Sequence, residues 1–284
     1  MSGDQGAIRN ISDTALWVAV YRAHETERPD AVFRDPLARA LAGERGERIS
    51  ALTPFMKQNE WSIVARTYLF DKFISEQVAR GADLVVNLAA GLDTRPYRLK
   101  LPPSLSWIEV DLPEIFDYKA RILADEKPAC ALERIALDLF DDVARESLFQ
   151  RLGQKAKNAL VACEGLLIYL KEEQVSSLAQ SLARTPGFAR WVFDLQSPGL
   201  LELARKNMGQ QLDKGDASLR FAPPEGPPYF AKFGWTPFDV GSLLKTAARL
   251  KRLPFALRLV ALLPESEGAQ GKRPWSAVCL MGRK

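Results

Sequence analysis

The 284 residues are 47% hydrophobic and 26% charged, with 18 Gly and 18 Pro, an ordinary globular composition that excludes collagen-like and low-complexity chains. The longest apolar stretches, 159–170 and 253–263, are interrupted by Glu164 and Arg258 and fall short of the roughly 20 residues that a membrane span requires. A single histidine, His24, and three separated cysteines (Cys130, Cys163, Cys279) exclude a His-rich zinc site and a C-x-x-C dithiol, so no metal is expected and the thiols read as reduced.

No basic start precedes an apolar run at the N-terminus, so no secretory leader is expected and the expected compartment is the cytoplasm. Ser12 and Asp13 are candidate caps for a first helix over 14–21, and a short helix over 36–42 starts with Pro36 and stops at Gly43. A long amphipathic helix follows over 60–80. Its apolar Ile63, Val64, Tyr68, Leu69, Phe73, Ile74 and Val78 recur at three- and four-residue steps, and Gly81 ends it. Beyond Gly81 the texture alternates. Apolar strands are expected at 84–88, 107–111, 133–137, 159–163 and 189–194, with helices at 114–123, 142–152 and 172–183. This order predicts an α/β fold, a doubly wound and mostly parallel sheet, whose ligand sits beyond the carboxyl ends of the strands.

From 197 to 235 the pattern breaks around Pro223-Pro224-Glu225-Gly226-Pro227-Pro228, which predicts an irregular insertion or lid over the crevice. A helix over 239–250 and a strand over 275–281 close the fold. The expectation is one domain over 1–284: a helical cap (1–81), a core (82–196 and 236–284) and the insertion (197–235). From Lys245 onward nine Lys or Arg stand against Glu265 and Glu267, a net +7, against about −3 for the rest of the chain. The basic, leucine-rich 243–263 stretch, broken by Pro254, reads either as core packing with a solvated charged face or as a surface for an acidic partner or a membrane.

The chemistry should lie at the strand ends. The first strand runs into Ala89-Ala90-Gly91-Leu92-Asp93-Thr94-Arg95, one glycine where a dinucleotide fingerprint needs three, which argues against a pyrophosphate ligand and a nicotinamide oxidoreductase. Glu109 and Asp111 close the second strand, and Asp111 lies where a carboxylate can bind ribose hydroxyls. Asp138 follows the third strand and Glu164 the fourth. Each acid alone serves equally well as a helix cap. Together, four strand ends carrying a small-residue turn or an acid point to a ribose- and adenine-bearing ligand without phosphates. An acid at an exposed strand end is not core, so replacing Asp111 is expected to spare folding. Cys163, ending a buried strand, reads as packing rather than as a nucleophile.

Several stretches occur in a combination and order that is more specific than any one of them: Thr14-Ala15-Leu16-Trp17 with Tyr21-Arg22-Ala23, Phe33-Arg34-Asp35-Pro36, Arg66-Thr67, Leu88 through Arg95, Glu109-Val110-Asp111-Leu112-Pro113, Asp138-Leu139, and Glu164 through Tyr169. In these the chain resembles the leucine carboxyl methyltransferase family, in particular its bacterial branch of S-adenosyl-L-methionine-dependent methyltransferases, over about 14–195 and more weakly from Phe233 onward. The resemblance implies a Rossmann-like class I methyltransferase sheet, S-adenosyl-L-methionine as cofactor, and O-methylation of a carboxylate or hydroxyl on a small molecule. Methylation of a protein C-terminus, or a non-catalytic binding protein on the same fold, are the alternatives; no nucleic-acid partner is expected. It further implies that Arg66 pairs with the methionine carboxylate of the cofactor and that Arg22 approaches the same end. Ala89, Gly91 and Asp93 would form the loop against the cofactor, Asp111 and Leu112 would hold the ribose, Asp138 and Leu139 would border the adenine, and Glu164 would face the ammonium group. The catalytic group is left open, with Tyr169, Arg95 and Arg98 as candidates and Asp194 as a further acid. Two positions depart from the family pattern: Ala89, where Gly is frequent, and Phe140, where many members carry an arginine that suits an acidic acceptor.

Overall fold

Seven strands form one sheet in the computed structural model, which describes residues 13–215, 217–264, 271 and 273–283. In chain order they are β1 (Leu84–Leu88), β2 (Ser106–Asp111), β3 (Ala131–Ala136), β4 (Ala159–Cys163), β5 (Phe188–Gln196), β6 (Trp235–Ser242) and β7 (Ser276–Arg283). Their order across the sheet is β3-β2-β1-β4-β5-β7-β6, with β1 to β5 parallel and β7 antiparallel to both its neighbours. β1 and β4 are buried along every residue, as central strands covered on both faces must be, and this is why they read as unbroken apolar runs. The winding reverses between β1 and β4, which opens a crevice at their carboxyl ends.

Among the described residues four helices precede the sheet: α1 (Asp13–Glu27), α2 (Ala38–Ala51), α3 (Pro54–Gln58) and α4 (Glu60–Ala79). The crossovers hold α5 (Arg95–Arg98), α6 (Pro113–Ile122), α7 (Asp142–Lys155) and α8 (Glu172–Arg184), and α9 (Pro198–Lys214), α10 (Leu243–Arg249) and α11 (Phe255–Val260) follow β5. One face of the sheet packs Val86, Val161 and Phe193 with Phe149 of α7 and Leu178 of α8. The other packs Val85, Leu160 and Val192 with Phe70 and Phe73 of α4 and Ala247 of α10. A third apolar cluster joins α1 (Trp17, Val20), α2 (Leu41, Ile49) and α9 (Met208, Leu212) into the cap.

The expected strands and crossover helices match these elements to within a few residues, and three differences have local causes. Gly43, at φ 54° and ψ −176°, leaves helical geometry and stops the first helical segment as expected, but a second segment follows at once and runs to Ala51, so α2 is two segments meeting at a break. Among the described residues the 197–235 stretch is irregular only over 217–226, and its first half is a helix. Ser197 accepts the Leu200 N–H as a cap, Pro198 occupies the first turn, and α9 runs seventeen residues from there. The proline-rich part behind it is packed, not loose: Phe221, Tyr229 and Phe230 are buried, and Phe230 meets Phe193 at 4.6 Å between ring centroids and Trp191 at 5.2 Å. β6 replaces the start of the helix expected over 239–250. Its Pro237 and Gly241 are tolerated because it is the edge strand, and the register slips between Pro237 and Asp239. The Ser12 cap, Glu265 and Glu267 lie outside the described residues. Among the described residues no helix is long and apolar enough to cross a membrane.

Candidate active site

A cavity of about 410 Å³ lies over the carboxyl ends of β1, β2, β4 and β5 and beneath the helical cap. Its floor is polar. The turn after β1 puts both Ala89 (φ 51°) and Gly91 (φ 49°) in the left-handed region, and a Cβ on Gly91 would stand 3.6 Å from Ala15 of α1. The turn is held by Asp111, whose carboxylate accepts the Gly91 N–H at 2.6 Å and the Leu112 N–H at 2.7 Å. Burial raises the Asp111 pKa, and these two donors only partly offset it. Asp111 therefore braces this turn, which argues against the expectation that replacing it spares folding.

At the opposite end of the cavity Arg66 reaches from α4 across to β4 and β5. Its Nε donates to Glu164 at 3.0 Å and its Nη1 to Asp194 at 3.2 Å, while Asp194 also accepts the Gly165 N–H at 2.6 Å. Arg95 is buried among three carboxylates, Asp71 at 2.7 Å, Asp93 at 3.1 Å and Glu164 at 2.8 Å. Behind it Arg98 grips Asp71 with two bonds of 2.7 Å. The network sets the protonation of its acids. Burial would raise Glu164, but Arg95 and Arg66 outweigh it and hold the carboxyl below its ordinary pKa. Asp93 is brought down to about 2 because Arg95 and Lys119 overcome the cost of burial. Asp194 goes the other way: burial dominates, and its pKa is raised despite Arg66. Tyr169 is half-buried, shares a hydrogen bond with Thr14 and has its pKa raised by desolvation, so its phenol stays protonated at neutral pH. The remaining walls are mainly apolar, from Trp17 and Val18 of α1, Phe55 of α3 and Leu200, Ala204 and Met208 of α9.

The tertiary fold brings Arg22, Arg66, Ala89, Gly91, Asp93, Asp111, Leu112, Asp138, Leu139, Glu164, Tyr169 and Arg95 to this one cavity. Arg98 is not on its wall. Its side chain is 4% exposed and spent on Asp71, so it offers no clamp for a free anion. Arg22 faces the cavity but is tied to Asp35 at 2.9 Å and to the Leu92 carbonyl at 2.6 Å, which braces α1 against the β1 turn. Asp138 turns one oxygen to the Phe140 N–H at 2.9 Å, and the Phe140 ring stands at the cavity edge. Cys163 lies buried under the floor, accepts the Trp191 indole N–H at 3.2 Å and has its thiol pushed up to about 12, which makes it core. Sequence reasoning missed Asp71, a single acid inside an amphipathic helix with nothing in its spacing to mark it. It also missed the α9 wall, although the Ser197-Pro198 start and the apolar steps Leu200, Leu201, Ala204, Met208 and Leu212 carried that signal.

The model of the leucine carboxyl methyltransferase family matches residues 15–183. A Streptomyces coelicolor protein whose name assigns it as an S-adenosyl-L-methionine-dependent methyltransferase is 34% identical over 221 residues, 71% of this chain and 76% of its own length. A Parafrankia protein assigned the same activity is 28% identical across 95% of this chain and 91% of its own. Among solved structures, a Thermobifida fusca protein assigned as a methyltransferase superposes with a TM-score of 0.58 at 14% identity, covering 98% of this chain and 96% of that one. A DUF574 family protein from Streptomyces avermitilis superposes with a TM-score of 0.57 at 11% identity, covering 94% and 97%. At such identities these two structures speak for the fold alone.

Proposed function

The chain belongs to the leucine carboxyl methyltransferase family, and from that premise we propose that it methylates an oxygen of a small, largely apolar molecule with S-adenosyl-L-methionine. When bound, this cofactor supplies an electrophilic methyl group on a sulfonium, and displacement at that carbon depends chiefly on how the acceptor is positioned. The donor set suits it. The β1 turn offers one left-handed glycine and no phosphate cradle, Asp111 stands at the end of β2 where ribose hydroxyls need an acceptor, and the Arg66–Glu164 pair at the other end provides one charge of each sign for an amino acid. In this reading Arg66 takes the methionine carboxylate, Glu164 the ammonium group, and Leu139 with Phe140 the edge of the adenine. Arg22 acts indirectly, by fixing the Leu92 carbonyl and so the turn.

The acceptor side favours a hydroxyl over a carboxylate. The cations lining the cavity among the described residues are Arg22, Arg66 and Arg95, and each already bonds to carboxylates. The resemblance further implies that Phe140 replaces an arginine of the family pattern. A hydroxyl needs a group to receive its proton. Asp194, with its pKa raised by burial, is the acid suited to that, and the protonated Tyr169 is suited to orient the acceptor oxygen by donating to it. The observation that carries the reading is the pairing in one cavity of the Arg66–Glu164–Asp194 end with Asp111, under the apolar wall of α1 and α9. Calorimetric titration with S-adenosyl-L-methionine, S-adenosyl-L-homocysteine and NAD tests the cofactor. Transfer of a radiolabelled methyl group to matched aromatic phenols and carboxylic acids then tests the acceptor. Binding of NAD alone would refute the first, and labelling of the acids but not the phenols the second.

A further inference from the structure

We propose that the face built on α11 and the residues just after it docks on the surface of an anionic lipid bilayer. Among the described residues ten large hydrophobic side chains are exposed, and five of them fall within 255–263: Phe255, Leu259, Val260, Leu262 and Leu263. Phe255 is 81% exposed and Leu262 80%, values for side chains that water surrounds on nearly every side. Single exposed hydrophobics are ordinary, but a contiguous group is a binding surface. The face is also fixed in place. Leu257 and Ala261, one turn apart, pack inward on the apolar layer that holds α4 and α10, and this directs Phe255, Leu259 and Leu262 outward.

The charge around the face selects the occupant. No Asp or Glu occurs between 240 and 264, while Lys245, Arg249, Lys251 and Arg258 are exposed there. Arg252 does not add to this field, because it is consumed by Glu25 at 2.8 Å and Asp30 at 3.1 Å. A second copy of the chain would bring two copies of this cationic patch together in one interface, which like-charge repulsion opposes. An anionic bilayer satisfies both features at once. Its acyl boundary takes the apolar side chains, and its headgroups take the cations. The binding is peripheral, since α11 is six residues long.

Sedimentation of the full chain with extruded vesicles tests the proposal, using phosphatidylcholine alone and phosphatidylcholine mixed with phosphatidylserine. The chain should pellet with the phosphatidylserine vesicles, stay in solution with phosphatidylcholine alone, and lose binding as salt is raised. The variant Phe255→Ser/Leu259→Ser/Leu262→Ser should bind at least about tenfold more weakly. The variant Arg249→Gln/Lys251→Gln/Arg258→Gln should lose most of the salt dependence. These side chains are exposed, so both variants should keep the wild-type Tm, which separates a docking effect from misfolding. A wild-type chain that ignores both kinds of vesicle, or a triple serine variant that binds equally well, overturns the proposal. A wild-type dimer by light scattering that the serine variant dissolves would assign the face to a second copy and overturn it too.

Discussion

Replacing Asp111 separates its two roles, because the same carboxylate holds the β1 turn and faces the cavity. In Asp111→Ala the Gly91 and Leu112 N–H groups lose acceptors at 2.6 and 2.7 Å. Hydrogen bonds to a charged group contribute about 1.5–3 kcal/mol each, but both donors border the cavity, where water can replace the carboxylate. The raised pKa of Asp111 also shows that burying its charge already costs part of that gain. The net loss of stability should therefore be about 1–2 kcal/mol. The ribose contacts are lost separately. Removing an ionised acceptor from two hydroxyls should weaken S-adenosyl-L-homocysteine by about 2–4 kcal/mol, roughly 30- to 1,000-fold in Kd. Calorimetric titration gives the Kd, and denaturant melts with and without ligand give the stability. A lowered Tm with an unchanged Kd would make Asp111 purely structural and refute the ribose assignment. An unchanged Tm would refute the bracing of the turn.

Three further substitutions probe the same site. Asp93, lowered to about 2 in the native state, stays ionised more readily there than when unfolded, so it adds about 2 kcal/mol above its unfolded pKa and loses this as the pH falls from about 4 to about 2. Asp93→Asn should therefore be destabilised at neutral pH, and its deficit should shrink in acid melts; a constant deficit contradicts the charge pairing. Gly165→Ala forces an L side chain to φ 67° and sets its Cβ 3.4 Å from Nη1 of Arg66. It should lose about 1–2 kcal/mol of stability in denaturant melts, and an unchanged midpoint would contradict the left-handed geometry of that turn. Ala89→Gly releases the strain of φ 51° and gives back part of that in unfolded-chain entropy, so the variant should gain up to about 1 kcal/mol in denaturant melts.

Much of the core was legible in the sequence because its signals are local. β1 and β4 announced themselves as short apolar runs, α4 by its three- and four-residue steps, and the strand-end positions of Asp111, Asp138 and Glu164 followed from the alternation alone. Edge strand β6 was hidden for a physical reason: only its place at the margin of the sheet lets Pro237 and Gly241 sit in a strand, and that place is a tertiary fact. The same holds for the partners of the charged groups. Arg66, Arg95 and Arg98 are visible in the chain as cations, yet their partners lie as far as 128 residues away, and Asp71 carries no mark of its role. The sequence by itself determined the parallel strands, the crossover helices between them and the residue types at the strand ends, because periodicity and capping act between near neighbours. The tertiary structure alone decided that Arg98 is spent on Asp71, that Asp111 braces the Gly91 turn, and that α9 walls the cavity, because each depends on contacts between segments that the chain's local chemistry does not specify.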